Sequence, residues 1–158
     1  MGRRQFSETN ALDAASLPVT DVYRWAQEQA AHLRAGRLDA LDISRIADEI
    51  ETVGRSEYDA LVSNLSVILM HMLKWDHQPE RRTRFWALSI SGHRDRVIDR
   101  LSDSPSLKPR LGEAIVRAYR YSRKDAAGET GLPLAVFPAA CPYSWDEIME
   151  RPFSSEAE

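Results

Sequence analysis

Histidine is the side chain best suited to proton transfer or metal ligation near neutral pH, and this chain has four: His32, His71, His77 and His93. His71 stands out because Leu65 to Trp75 is otherwise apolar on almost every side. Glu57, Asn64 and His71 recur at seven-residue intervals, which on a helix places them in one polar line beside an apolar stripe. A histidine aligned with a carboxylate invites an acid–base or metal reading. The rise of a helix argues against it, since Glu57 and His71 would lie about 21 Å apart and share neither a proton nor an ion. The ordinary role for such a residue is a core-edge histidine hydrogen-bonded to a neighbouring helix. His93 with Glu57, and with His32 as a third ligand, can be drawn as a metal site, but no recognised ligand spacing such as His-Glu-x-x-His supports it.

The second constellation is cationic. Lys74, Arg81, Arg82 and Arg84 cluster with His77 at a corner where only Asp76 and Glu80 are acidic neighbours. Arginine forks suit phosphate and carboxylate, and arginines in the opening turns of a helix run against its dipole. An anionic ligand or nucleic acid would compensate them, as would the acidic residues Asp146, Glu147, Glu150, Glu156 and Glu158. A solvated or internally paired patch is the more ordinary outcome. Nothing else converges. Glu49 and Glu51 point about 160° apart on a helix, and Cys141 has no base near it in sequence and reads as a buried, inert thiol. There is no phosphate loop, nucleophile elbow or zinc-finger spacing.

Helices must position these residues, because period-3.6 patterning fills most of the chain and no strand pattern appears. Thr20 or Asp21 caps a first helix carrying Val22, Trp25, Ala26, Ala30 and Leu33 on one side, and Gly36 stops it. Asp42 caps a longer one, in which Ile43, Ala47, Ile50, Leu61, Leu65, Ile68 and Met72 fall within about 40° of one direction. Gly54 lies on that stripe, where a missing side chain would let another helix come close. Unbroken, residues 43–75 would reach about 50 Å in a domain only about 40 Å across. We expect a nearly continuous helix, bent at Gly54, that overhangs its own domain or packs on a second copy.

Pro79 suits the first turn of the next helix, whose inward stripe is Trp86, Ile90, His93, Val97 and Leu101. The two long helices are expected to pair antiparallel with partner numbers summing to about 155. That register sets Glu57 near Ile98, places Arg96 and Arg100 opposite Glu57 and Asp59, and allows a His93–Glu57 or Arg94–Glu57 contact. Ser106 can cap a fourth helix that tolerates Pro109 and turns Leu111, Ile115 and Ala118 inward. The last forty residues are Pro-punctuated, anchored by Phe137, Tyr143 and Trp145. Ser144 to Glu147 reads as a capping box, with Tyr143 and Ile148 as its staple.

Composition narrows the function classes. With 158 residues, 43% hydrophobic, the chain can bury a real core, and a net charge of −3 supplies no global attraction to nucleic acid or anionic lipid. The longest apolar run, Val67 to Leu73, is interrupted by His71 and too short to span a bilayer. The first residues lack a secretory signal, and Phe6 stands where a myristoylation motif needs Ser or Thr. One cysteine excludes an internal disulfide.

Several phrases resemble the bacterial family called domain of unknown function 29. They are Tyr-Arg-Trp-Ala-Gln-Glu-Gln-Ala (23–30), Leu-Arg-Ala-Gly (33–36), Ile-Ala-Asp-Glu-Ile-Glu-Thr-Val-Gly-Arg-Ser-Glu (46–57) and His-Met-Leu-Lys-Trp (71–75). Gln-Pro-Glu-Arg (78–81), Ser-Pro-Ser-Leu (104–107), Glu-Thr-Gly-Leu (129–132) and Phe-Pro…Cys-Pro-Tyr (137–143) continue the match in order. The resemblance implies a mainly helical domain and supplies no activity, substrate or catalytic residue. In its pattern His71 matches, whereas His32, His77 and His93 stand where Leu, Tyr and Gln are usual.

Together these readings predict an all-α fold: four principal helices, a long central antiparallel hairpin, and a Pro-rich, partly helical C-terminal wrap. Residues 1–18 are expected to be loose, 19–152 to form one helical domain, and 153–158 to be a flexible acidic tail. The expected function is a non-enzymatic interaction or regulatory module of the cytoplasm, without cofactor or metal, with a protein partner or a second copy and no membrane. Lys74, Arg81, Arg82 and Arg84 are the candidate anion- or partner-binding residues, with nucleic acid a less favoured ligand. Glu57, Asn64, His71 and His93 form a polar seam of structural or functional importance. A metal-dependent enzyme is the remaining alternative.

Overall fold

Asp21 starts the first helix, α1 (Val22–Arg34), by accepting a 2.9 Å hydrogen bond from the Arg24 amide. Gly36 ends it at φ +68°. There the Gly36 amide reaches the Leu33 carbonyl at 3.1 Å and the Arg37 amide reaches His32 at 3.0 Å, the pair of bonds that a left-handed glycine makes possible at a helix end. A 3-10 turn over Leu38–Ala40 leads to Asp42, whose carboxylate accepts from the Arg45 amide at 3.2 Å and opens α2 (Ile43–His77). The structure, a computed structural model, describes residues 21–154, so the expectations for residues 1–18 and for the tail beyond 154 lie outside the described residues.

The chain forms two compact units, the first ending at Thr52 and the second beginning at Val53. In the first, Gln29 accepts from the Asp42 amide at 2.8 Å, and the Arg45 guanidinium lies 5.0 Å from the centre of the Trp25 ring. None of its described side chains is fully buried. The leading half of the expected apolar stripe therefore has no cover there: Ile43 is 67% exposed and Ile50 66%.

The second unit holds the core. From Tyr58 onward α2 carries most of the core, with Leu61, Leu65, Ile68, Leu69, Met72 and Leu73 inaccessible to solvent. Against it pack Ile90 and Val97 of α3 (Arg84–Asp103), Ala114 and Ala118 of α4 (Leu111–Thr130), Phe137, and Ile148 of α5 (Trp145–Glu150). No strand occurs among the described residues, so the fold is all-α as expected, and the wrap carries its capping box at Ser144 and Glu147.

Helix starts differ from expectation at two prolines. Pro79 opens a 3-10 turn, Pro79–Arg81, and α3 begins later, where Thr83 in extended backbone accepts from the Trp86 amide at 3.3 Å. Only Arg84 of the three arginines thus lies in the first turn of α3. Likewise Pro105–Arg110 is 3-10, and α4 starts at Leu111 rather than near Ser106. Pro109 lacks the amide that an α-helix begun at Pro105 would donate to the Pro105 carbonyl. Gly54 does not interrupt α2, and a Cβ built there meets nothing within 4 Å. Among the described residues no helix makes the close approach that its position suggested.

An exposed glycine inside a helix, with room for a methyl group, costs stability through its unfolded-state freedom. Gly54→Ala is expected to raise the free energy of unfolding by about 0.5–1 kcal/mol, measured by urea titration. A loss of stability would mean that this position is occupied in the native protein.

Candidate functional site

The polar line on α2 lies along its seam with α3. Glu57 forms an ion pair with Arg100, and Asn64 Oδ1 lies 2.8 Å from His93 Nδ1. An amide oxygen only accepts, so the neutral His93 ring carries its proton on Nδ1. His71 meets Phe85 edge-on at 6.0 Å and Trp86 at 6.4 Å. These partners sum to about 157, two residues from the register expected for an antiparallel hairpin. That shift gives Glu57 to Arg100, so neither His93 nor Arg94 contacts Glu57. Asp59 pairs instead with Arg117 of α4 at 2.8 Å.

His71 makes no hydrogen bond to a neighbouring helix, contrary to the ordinary expectation. Its Nδ1 is buried without a partner, and the residue is 5% exposed. Burial first, and then the charge of Lys74, lower its pKa to about 4. The ring is neutral at physiological pH and packs as an aromatic. His93 is also lowered, by burial and by Arg96.

The cationic corner does not converge on one point. Lys74 is buried, its Nζ 2.5 Å from Glu129 Oε2 on α4 and 4.4 Å from the centre of the Trp86 ring. Arg82 stacks on Trp75 at 5.2 Å and donates from Nε to the Trp75 carbonyl at 3.0 Å. The Arg81 and Arg84 side chains are exposed and make no hydrogen bond or ion pair among the described residues. The acidic C-terminal residues that are described, Asp146, Glu147 and Glu150, form no ion pair with these arginines.

The fastening of the wrap was not foreseen. Asp76 accepts two bonds from Arg151, at 2.9 and 2.6 Å, and one from the Tyr143 hydroxyl at 2.8 Å. Burial alone would raise the Asp76 carboxyl, but the bonds from Arg151 and Tyr143 outweigh it and hold it below the usual range. Arg94 donates to the carbonyls of Ile148, Arg151 and Glu147 at 2.7, 2.9 and 3.2 Å, closing the C-terminal end of α5. Arg123 does the same for Phe137 and Leu134, at 3.0 and 3.1 Å.

Two hollows border α4, and sequence reading found neither because each is assembled from segments far apart in the chain. One, of about 300 Å³, lies between α2 and α4 and is lined by Asp59, Ser66, Met70, Arg117 and Asp125 among others. The other, of about 770 Å³, lies between α4 and residues 134–141; Val116, Tyr119, Arg120, Arg123, Leu134 and Cys141 are part of its lining. Cys141 is half-buried with its thiol raised by burial, and no base activates it. Among the described residues no group of three or more His, Cys, Asp or Glu is placed to hold a metal ion. Nor is any helix among them long and apolar enough to cross a membrane.

These features define a class: an all-α protein in which Lys74, Asp76, Arg82, Arg94 and Arg123 pin helices and irregular backbone together. The family model "Domain of unknown function DUF29" matches residues 18–154, and the chain belongs to that family. No curated protein and no solved structure matches the chain.

Two outcomes test this account. Unfolded histidine titrates near pH 6.5 and native His71 near 4, so between those values the unfolded chain binds the extra proton. Stability is then full above pH 6.5 and falls on acidification, by as much as about 3 kcal/mol from this residue. His71→Leu should keep stability at pH 7.5 and remove most of that loss in urea titrations across pH 4–7; an unaltered acid slope would refute the assignment. Asp76→Asn should cost about 1.5–3 kcal/mol, because Arg151 loses a charged acceptor. Exposed Asp48→Asn should stay within about 0.5 kcal/mol.

Proposed function

We propose that this chain is a non-enzymatic interaction module that self-associates through the apolar side of its first unit. The observation that carries the reading is the exposure of Ile43 and Ile50 on α2, joined by Val22 and Leu33 of α1, each 49% exposed. A helical pair without one fully buried described side chain has gained little hydrophobic stabilisation by itself. A second copy supplies the cover. Laid antiparallel about a two-fold axis, α2 sets Ile43 against the partner's Ile50 and brings Ala47 of both copies to the same face. Apolar residues are thereby matched in one self-complementary arrangement.

Ligand binding by Lys74, Arg81, Arg82 and Arg84 has less support. Lys74 is committed to Glu129 and Arg82 to Trp75, leaving Arg81 and Arg84 as unpartnered donors. A metal-dependent reaction lacks a convergent set of ligands among the described residues.

Sedimentation equilibrium of the full chain should give a concentration-dependent dimer. Ile43→Glu with Ile50→Glu should be monomeric with an unchanged helical circular dichroism spectrum, since both side chains are exposed. A parent protein that stays monomeric at high concentration would overturn the proposal.

A further inference from the structure

The groove between α4 and residues 134–141 belongs wholly to the second unit and plays no part in the self-association proposed above. Its volume of about 770 Å³ falls in the range of small-molecule sites, about 300–1,000 Å³. Its walls are mainly apolar, and two of the side chains lining it are held open to solvent: Val116 is 70% exposed and Leu134 42%.

Charge at the groove is one-sided. The acidic residue lining it, Glu113, is already neutralised by Arg110, with contacts of 3.0 to 3.2 Å. The Arg117 charge is met by Asp59 at 2.8 Å. What remains is Arg120, Arg123 and Lys124, none of which has a carboxylate partner among the described residues. Arg123 is moreover fixed in place, since its bonds to the Phe137 and Leu134 carbonyls tie it to the opposite wall. A guanidinium oriented in advance loses little freedom when it meets an anion.

We infer that this groove binds a small amphipathic anion, an apolar body carrying one carboxylate or a similar group. The body lies along Val116 and Leu134, and the charged end meets Arg120, Arg123 and Lys124. Three cations facing an apolar wall complement such a molecule and reject its neutral analogue, whose polar end would leave the cations without a counter-charge.

Decanoate is the probe, titrated into the full chain by isothermal calorimetry, with decanol and acetate in parallel. The expected result is a Kd of about 100 μM or tighter for decanoate. Decanol, which lacks the charge, and acetate, which lacks the apolar body, should each bind about tenfold more weakly or worse. Arg120→Glu with Lys124→Glu, both exposed, should weaken decanoate about tenfold or more while leaving the helical spectrum intact. Val116→Asp tests the apolar half separately and should give a similar loss. Equal affinity for decanoate and decanol, or binding indifferent to these variants, would overturn the inference. A groove that takes an acidic amphipathic peptide but no decanoate would also overturn it, in favour of protein docking.

Discussion

The end of α2, from His71 to Trp75, is enclosed on every side, and the rest of the second unit is arranged to enclose it. His71, Met72, Leu73, Lys74 and Trp75 are five consecutive buried residues, and at 100° per residue they point all the way around the helix. Each face must therefore meet a different element. The α3 helix takes the side of Glu57, Asn64 and His71, α4 takes that of Ser66 and Lys74, and the wrap takes the remainder through Tyr143, Arg151 and Phe153. Each fully buried aliphatic side chain contributes about 1.5–3 kcal/mol, against about 0–1 for an exposed ion pair. The apolar surface sets the arrangement and the charges adjust it.

The arginines show how that adjustment works. A Pro-rich segment has few backbone partners of its own, and buried carbonyls must be satisfied. Arg94 meets three carbonyls at the end of α5, Arg123 meets two beside Phe137, and Arg82 meets one at Trp75. Of the residues that look in sequence like ligands for phosphate, Arg82 is here a donor to the main chain. Lys74 makes the same point by a different route, because its charge is buried, paired with Glu129 and stacked on Trp86.

Much of the fold could be read from residue types. Asp21, Gly36, Asp42 and Ser144 are local signals, since a cap depends on the few residues that follow or precede it. The buried stripes of α2 and α3 were equally legible as periodicity. The start of α3 was missed because Pro79 is a strong signal and Thr83, four residues on, a quieter one. The two-residue error in register has a related cause: the turn between the helices is a 3-10 segment with an extended exit, longer than a tight corner. Periodicity alone could not say that Ile43 and Ile50 lack cover while Leu61 and Leu65 have it, because all four share one helical face. The grooves beside α4 were out of reach, being formed by residues such as Val116 and Leu134 that meet only after folding.

The tie between Asp76 and Arg151 bears on the order of assembly. It joins residues 75 apart in the chain, and Tyr143 to Asp76 spans 67. Bonds of that reach form late, since bringing remote segments together costs loop entropy before any contact compensates it. Until residues near 150 have been synthesised and have found the end of α2, the side of Trp75 that Phe153 covers stays open to water. In that interval the nascent protein presents a greasy strip to whatever chaperone or sister chain is nearest.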